Sequence, residues 1–209
     1  GFGSAVSLDF LRPGGARTGK ILPTGNVRDV LMLEDGATIE ASMVDAANPC
    51  VFVRAADVGA RGNESPLAMD NDSGLLAKLE AVRRAASVAM GITGSLAEAA
   101  KVPSAPKVAF VASPMDSQLL NGATMPADDV DLLARMISVG APHRAIPLTG
   151  ALCTSVAAKI EGTLVHEVTR PGRMVRVGQA SGTTVVDADV QRLATGSWHA
   201  ETASVFRTQ

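Results

Sequence analysis

The feature that most constrains the fold is the segment 149–160, which has helical spacing and almost no polar face. Small and apolar residues occur on all sides of this helix, and its first charged side chain is that of Lys159. A helix that is apolar nearly all round cannot lie on a surface, so other structure must surround it. The segment therefore predicts a central helix, which we expect to begin at Thr149 and to end at Gly162.

The start of this helix has the features of an anion-binding site. Thr149 can cap the helix, and Gly150 and Ala151 leave the first backbone N–H groups sterically open. Such N–H groups at a helix start bind carboxylates and phosphates. From the segment alone, an ordinary cap on a buried helix is an equally good interpretation.

The rest of the chain predicts short strands and two amphipathic helices. Apolar spacing predicts a helix over 73–90, capped by Ser73 and stopped by Gly91, and acidic residues predict a second helix over 128–139. Short β-rich runs between Gly and Pro turns predict strands at 6–11, 27–33, 38–44, 50–54, 107–112, 163–169, 173–179, 183–188 and 200–207. These elements predict an α+β fold, in which strands surround one buried helix and amphipathic helices lie outside.

The overall charge and the cysteines exclude several classes of protein. A net charge of −2 argues against a nucleic-acid binder, and the apolar stretches fall short of the ~20 residues of a membrane helix. Cys50 and Cys153 lie far apart and form no C-x-x-C motif, so no metal knuckle or redox pair is indicated. Two free thiols suit a reducing compartment, so we expect a cytoplasmic protein. The chain begins at Gly1 and stops in a strand-like run, and we expect both ends to be cut.

Two apparent motifs are incomplete. Residues 14–20 match the G-x-x-x-x-G-K part of a phosphate-binding loop, but Ile21 replaces the Ser or Thr that holds magnesium, and Pro23 follows where a helix should begin. The three histidines are scattered without metal-ligand spacing, so no metal site is predicted. We interpret His166 as a surface strand residue, while His143 could serve either a ligand or its own loop.

Three other side chains have a structural and a functional interpretation. Cys153 falls one turn inside the apolar helix, where a thiol usually packs as a small core residue, and core packing is also the simplest role for Cys50. Asn48 precedes a proline at the start of a strand, where its amide can offer a donor and an acceptor to a ligand. As a plain turn residue it would look the same.

Three segments together resemble the PrpF family of isomerases. They are Val-Asp-Ala-Ala-Asn-Pro-Cys-Val-Phe-Val at 44–53, Pro-Thr-Gly-Asn at 23–26 and His-Arg-Ala-Ile-Pro-Leu-Thr-Gly-Ala at 143–151. The resemblance covers nearly the whole chain. It implies the fold of diaminopimelate epimerase, with two similar domains, each formed by a curved, mostly antiparallel sheet around a central helix, and an active site between them. Residues 1–209 then correspond to the C-terminal domain alone.

The resemblance also implies an activity. Family members move a proton on unsaturated tricarboxylates, as 2-methylaconitate cis-trans isomerases or oxalomesaconate tautomerases, without metal or pyridoxal cofactor. It implies substrate contacts at Asn48 and at Thr149, Gly150 and Ala151, with Thr24 near the cleft. No catalytic residue is expected in this chain, because the lysine and cysteine proposed for the family belong to the N-terminal domain. We therefore expect the 209-residue chain alone to be inactive.

One departure from the related epimerases limits the role of this half. They carry a catalytic cysteine just before the Thr-Gly pair, where this chain has Pro147 and Leu148. The expected partners are a small tricarboxylate and the protein's own N-terminal domain; the oligomeric state stays open, with a homodimer as one alternative. A non-catalytic polycarboxylate-binding protein, or an accessory protein of a partner dehydratase, is the alternative function.

Overall fold

A computed structural model describes residues 5–208. The expectation about cut chain ends concerns residues outside this range. Twelve strands are present, at β1 Ala5–Leu11, β2 Asp29–Met32, β3 Thr38–Ala46, β4 Asn48–Arg54, β5 Lys107–Ala112, β6 Ser117–Gln118, β7 Thr124–Met125, β8 Leu132–Ser138, β9 Ala141–Pro142, β10 Val175–Gln179, β11 Gly182–Arg192 and β12 Trp198–Thr208.

Within residues 5–208, five helices accompany the strands, at α1 Pro66–Asp70, α2 Ser73–Ala89, α3 Leu96–Lys101, α4 Leu148–Lys159 and α5 Leu164–Val168. Short 3-10 turns cover Ala56–Val58 and Ala127–Asp129. Within the described range, no helix is both long enough and apolar enough to cross a bilayer.

The strands form one large curved sheet. Ten of them belong to it, in the order β1-β12-β11-β10-β8-β5-β4-β3-β2, with β9 added beside β8, while β6 and β7 form a separate pair. Most neighbours are antiparallel, and the β4·β5 and β8·β10 pairs are parallel. The predicted α+β class and the mostly antiparallel sheet are confirmed.

The central helix α4 lies inside the curve of this sheet. All residues from Gly150 to Ala158 are buried, and α4 contacts β3, β4, β10, β11 and β12. Its few polar side chains are satisfied internally: Thr154 Oγ1 donates to the carbonyl of Gly150 at 2.8 Å, and Ser155 Oγ to that of Leu152 at 2.8 Å. The prediction of a surrounded central helix is confirmed, although the helix ends at Lys159 rather than at Gly162.

The opposite face of the sheet is covered by α2, which is amphipathic as predicted. Alternate residues of the strands divide between the two layers: in β4, Phe52 packs in the α4 layer and Val53 in the α2 layer. The helix is capped by Asp72, whose carboxylate accepts from the N–H of Leu75 at 2.9 Å, and not by the predicted Ser73. Gly91 follows its end with a φ of +70°.

Two predicted elements were wrong. The predicted helix over 128–139 is strand β8, because this strand is buried on both faces and shows no alternation that would identify it. Its Arg135 is buried and donates from Nε to the carbonyl of Glu64 at 2.7 Å; burial lowers its pKa to about 10.

The second wrong element is the strand predicted over 163–169. Thr163 Oγ1 accepts from the N–H of His166 at 3.0 Å, and this cap starts α5 in spite of the β-branched residues that follow. His166 is exposed on this helix, so its surface position was correct and its strand was not.

Residues 12–21 join the two ends of the curved sheet. The N–H of Arg12 donates to the carbonyl of Glu201 in β12 at 2.8 Å, and the N–H of Ala47, just after β3, donates to the carbonyl of Pro13 at 2.8 Å. Further along, Asp45 in β3 donates its N–H to the carbonyl of Ile21 at 2.9 Å. The segment thereby covers the gap between β12 and β3 on that side of α4.

A buried carboxylate holds this closing segment. Asp45 Oδ2 accepts from the N–H of Arg17 at 2.8 Å, from the N–H of Thr18 at 2.6 Å and from Thr18 Oγ1 at 2.9 Å. Gly15 turns with a φ of +75°, where a Cβ would lie 2.6 Å from the backbone of Gly19. The loop that resembles a phosphate-binding loop therefore directs its N–H groups at an internal carboxylate.

Replacing Asp45 tests this closure. We expect Asp45→Ala to lower the free energy of unfolding by about 2–4 kcal/mol, because three hydrogen bonds to one buried carboxylate are lost. Asp35→Ala is the matched control: its carboxylate accepts one bond from Ala37 N in an exposed turn, and we expect a loss of about 1 kcal/mol or less. Urea unfolding measures both. Equal losses would show that Asp45 does not hold the sheet closed.

An ion pair attaches α5 to the sheet and predicts a pH dependence. Arg54 Nε and Arg28 NH2 lie 2.6 and 2.8 Å from the carboxylate of Glu167, and chiefly the bond from Arg54 lowers the Glu167 pKa to about 2. A depressed folded pKa stabilises the fold above the unfolded value near 4.5, and this contribution is lost as the pH falls toward 2.

We therefore expect Glu167→Gln to destabilise the protein at pH 7 and to destabilise it much less near pH 2.5, where most of the contribution has been lost. Urea midpoints of both proteins across this range measure the convergence. Glu161→Gln, an exposed control beyond α4, should leave the profile unchanged. A Glu167→Gln difference that stays constant down to pH 2.5 would contradict the assignment.

Candidate anion-binding site at the start of the central helix

Several polar residues meet where the sheet ends beside the start of α4. Asn48 begins β4, Lys107 begins the parallel strand β5, and Ser138 ends the antiparallel strand β8. The three residues therefore lie at the same end of these neighbouring strands. Asn48 Nδ2 lies 3.3 Å from Thr149 Oγ1, which places the start of α4 at this end. The structure thus brings together two of the predicted site residues, Asn48 and Thr149.

The start of α4 has unused backbone donors. The helix follows Pro147, which supplies no side-chain cap, and its first backbone bond runs from Ala151 N to the carbonyl of Pro147 at 2.8 Å. The N–H groups of the three residues before Ala151 therefore have no acceptor within the helix. The prediction that Thr149 is the cap was wrong, since Thr149 is the second residue of the helix.

Gly150 and Ala151 are buried, and packing explains the glycine. A Cβ on Gly150 would lie 2.4 Å from Met136 Sδ of β8, so the small residue lets the helix approach the sheet closely. The side facing solvent belongs to Leu148 and Thr149, which are half-buried. Gly150 can contribute its N–H to a ligand there, whereas the N–H of Ala151, a predicted contact, already bonds to the carbonyl of Pro147. The side-chain positions of both residues belong to the core.

Thr24 is not brought into this group by any hydrogen bond of the described residues. Its Oγ1 donates to Asp29 at 2.7 Å, and Asn26 Nδ2 donates to the other oxygen of the same carboxylate at 2.7 Å. These contacts make residues 24–29 a turn with its own internal network beside β3. Its place near a cleft stays a prediction.

A basic pair, which the sequence reasoning missed in part, lies next to the helix start. Lys107 Nζ donates to Ser138 Oγ at 2.9 Å. His143 is held nearby by its backbone N–H, which donates to the carbonyl of Met136 at 2.9 Å. The buried Nε2 of His143 has no hydrogen-bond partner in the described part of the chain. Burial, and then the charge of Lys107, lower the pKa of His143, so its imidazole is neutral at pH 7.

Gln179 is a second residue that was missed, and it positions the segment before α4. Its Oε1 accepts from the N–H of Ile146, while its Nε2 donates to Thr184 Oγ1 at 2.8 Å. The side chain is 6% exposed, so a buried amide connects two strands to the residues that lead into the helix. A lone glutamine at the end of an apolar strand was the available signal.

Both thiols lie in the core, in agreement with their predicted structural role. Cys153 Sγ lies 3.3 Å from the carbonyl of Val44, and its side chain packs beside that of Cys50. Burial raises the pKa of the Cys153 thiol well above its ordinary value, which makes it a poor nucleophile. Within residues 5–208, no three His, Cys, Asp or Glu side chains come close enough to hold a metal ion.

The arrangement can bind and polarise an anion. Backbone donors, an amide, a lysine and a neutral imidazole surround the start of α4, and Arg144 is exposed in the segment that leads into it. Donors of this kind stabilise negative charge on carboxylate oxygens. A thiol positioned for proton transfer is absent from this group, which includes only described residues.

Comparison with known proteins gives one family. The family model described as PrpF protein matches residues 1–209. The chain is 40% identical over 197 residues to the 3-methylitaconate isomerase of Eubacterium barkeri, covering 90% of this chain and 52% of that protein. It is 36% identical over 198 residues to the 2-methyl-aconitate isomerase of Shewanella oneidensis, covering 92% of this chain and 50% of that one.

A more distant relative and a solved structure extend the comparison. The (4E)-oxalomesaconate Delta-isomerase of a Novosphingobium species is 32% identical over 166 residues, covering 78% of this chain and 40% of that protein. The crystal structure of a methylitaconate-delta-isomerase superposes with a TM-score of 0.89 at 37% identity, covering 99% of this chain and 54% of that one. The chain thus spans about half the length of these relatives.

The basic pair predicts how His143 titrates. We expect its midpoint, followed by NMR of the imidazole C–H groups, to lie below the ordinary value of 6.5. Lys107→Met should raise the midpoint without restoring 6.5, because burial is the larger cause. Lys101→Met, at the end of α3, is the control and should change nothing. A wild-type midpoint at or above 6.5 would disprove the buried, lysine-flanked environment.

Proposed function

This chain belongs to the PrpF family, and from that premise we propose that the protein is an isomerase that moves a proton on an unsaturated polycarboxylate. The relatives carry the names of methylitaconate, methylaconitate and oxalomesaconate isomerases. The substrate we propose is a tricarboxylate of the methylaconitate or oxalomesaconate type, and this domain provides half of its carboxylate site.

The observation that carries the proposal is the convergence of Asn48 and Thr149 at the start of α4. An amide, a hydroxyl and three backbone donors at one point suit a carboxylate group, which offers several acceptor lone pairs. The basic side chains of Lys107 and Arg144 favour further negative charge around it. A substrate with more than one carboxylate uses both features.

The same donors assist the chemistry that we propose. When a proton leaves a carbon next to a carboxylate, negative charge spreads into the carboxylate oxygens, where fixed donors stabilise it. The double bond then shifts by one position, and a proton is returned to the far carbon. The product is an isomer of the substrate, so no oxidant or reductant is needed. We propose that the reaction needs neither a metal nor pyridoxal phosphate.

The groups that carry the proton are proposed to lie outside this chain. Pro147 and Leu148 occupy the place before Thr149 where related epimerases have a thiol, and Cys153 is buried with a raised pKa. We therefore propose that residues 1–209 are the C-terminal domain of a two-domain protein and that its N-terminal domain supplies the acid and base. The length of the relatives supports this division. The two free thiols favour the cytoplasm as its compartment.

Hydrogen exchange tests the proposed function. The full-length protein is incubated in D2O with 2-methylaconitate, oxalomesaconate and methylitaconate in turn, and proton NMR follows both exchange and isomer formation. We expect exchange at the allylic carbon of at least one of them, and none with the 209-residue chain alone. If the folded full-length protein exchanges no proton of any of these compounds, the isomerase assignment is wrong.

Substitution of Asn48 tests the site itself. In the full-length protein we expect Asn48→Ala to lower kcat/KM about 10- to 100-fold, because one donor to the developing charge is lost. Asn71→Ala, at the exposed end of α1, is the matched control and should keep normal kinetics. Thr149→Ser keeps the hydroxyl and should cost less than Thr149→Val. Normal kinetics for Asn48→Ala would place the substrate elsewhere.

A further inference from the structure

A second pocket lies at the opposite end of α4. It has a volume of about 940 Å³ and is formed by residues 12–28, by Gly162 beyond the helix and by the turn that leads into β12. A helix of twelve residues is roughly 18 Å long, so the side of the pocket at Gly162 is well separated from the start of α4. The other side reaches Gly14, which bridges Ala46, the strand partner of Asn48. None of Asn48, Lys107 or residues 143–151 lines this pocket.

The ionisable side chains around the pocket are all basic. They belong to Arg12, Lys20, Arg28, Arg192 and His199, and no Asp or Glu of the described residues lines it. Arg28 is occupied, since its Nε donates to the carbonyl of Gly162 at 2.5 Å and its NH2 pairs with Glu167 at 2.8 Å. His199 Nε2 lies 3.1 Å from Glu201.

Three of these cations, Arg12, Lys20 and Arg192, have no acidic partner among the described residues, and Arg192 lies over the ring of Trp198. Arg12 and Lys20 are exposed and form no ion pair with any residue in 5–208. Arg12 and Lys20 belong to the same closing segment, residues 12–21. The carboxylate of Asp45 holds this segment by accepting from the N–H groups of Arg17 and Thr18. The pocket therefore presents positive charges on a segment whose backbone is fixed, and a bound anion would neutralise them.

The remainder of the lining is apolar and contains one flat surface. Trp198 is half-buried at the start of β12, and the Arg192 guanidinium lies 5.9 Å from the centre of its ring. Ile21, Leu22, Val27 and Ala200 complete the apolar wall. A small polycarboxylate would leave this wall without contact, whereas an aromatic body would cover it.

We propose that this pocket binds an organic anion with a flat apolar body, at a site separate from the carboxylate site. The anionic group lies between Arg12 and Lys20, and the flat body lies against Trp198 beside Arg192. The volume is in the range of pockets that enclose ligands of this size, about 300–1,000 Å³. The mixture of unpaired cations and an aromatic wall selects for both parts of the ligand.

The test uses a probe with both parts and a matched probe that lacks one. 1-Anilinonaphthalene-8-sulfonate carries the charge and the rings, and N-phenyl-1-naphthylamine has the same rings without the charge. The full-length protein is used, together with a Trp198→Phe variant of it. The part of the energy transfer that this variant loses reports proximity of the bound probe to Trp198. Circular dichroism confirms that each variant is folded.

We expect the sulfonate to bind with energy transfer and the neutral probe to bind at least several-fold more weakly. The double variant Arg12→Gln/Lys20→Gln should weaken sulfonate binding about three- to tenfold. The double variant Arg61→Gln/Lys101→Gln removes the same charge elsewhere on the surface and should leave binding unchanged. Excess trans-aconitate, a tricarboxylate without rings, should not displace the probe.

Three results would overturn the proposal. Equal affinity for the charged and neutral probes would show that the cations select nothing. Equal losses in the two double variants would reduce the effect to net charge. Displacement by trans-aconitate would show that the probe occupies the carboxylate site, so that the pocket is not a separate one.

Discussion

The requirement to keep α4 away from water determines how the whole sheet is arranged. A flat sheet covers one side of a helix, whereas α4 is apolar nearly all round and is contacted by strands from both halves of the sheet. The sheet has to curve, and its ends are brought close enough for residues 12–21 to join β12 to β3. A fully buried side chain, that of Asp45, lies there: the joining segment directs three donors at its Oδ2, while its Oδ1 has no hydrogen-bond partner among the described residues.

The same burial explains where the candidate site lies. Once the sides of a helix are enclosed, only its ends reach solvent, and the N-terminal end carries unused N–H groups. The polar residues beside this end lie at the ends of three neighbouring strands, and the register of the sheet brings them together. Asn48 and Lys107 begin their strands, and Ser138 ends its strand. Gln179 then fixes the entering segment through Ile146. The site is therefore a consequence of the core rather than an addition to its surface.

Much of this could be predicted from sequence, and the failures have identifiable causes. The apolar helix and the half-buried strands carry periodic signals, and the Asn48 and Thr149 predictions came together in space as expected. Strand β8 lacks a period because both of its faces are buried, and the single bond from His166 to Thr163 decides the conformation of α5. Lys107 and Gln179 were missed because their roles depend on strand register, which one sequence does not reveal.

The two ends of α4 differ in how their backbone groups are hydrogen-bonded. At the start, positive potential comes from backbone N–H groups, and uncharged neighbours such as Asn48 suffice to shape an anion site. At the end, the carbonyl of Ala157 accepts from Thr163 Oγ1 at 2.7 Å and from the N–H of Ile160 at 3.2 Å. Arg28 and Lys159 donate to the carbonyls of Gly162 and Gly172 in the loops that follow the helix. These bonds, with the ion pair to Glu167, account for Arg28 and Lys159, whereas the side chains of Arg12 and Lys20 form no hydrogen bond or ion pair within residues 5–208. Arg12 and Lys20 line the same pocket as Trp198, so the ligand proposed for that pocket would pair its anionic group with charges that the fold itself does not use.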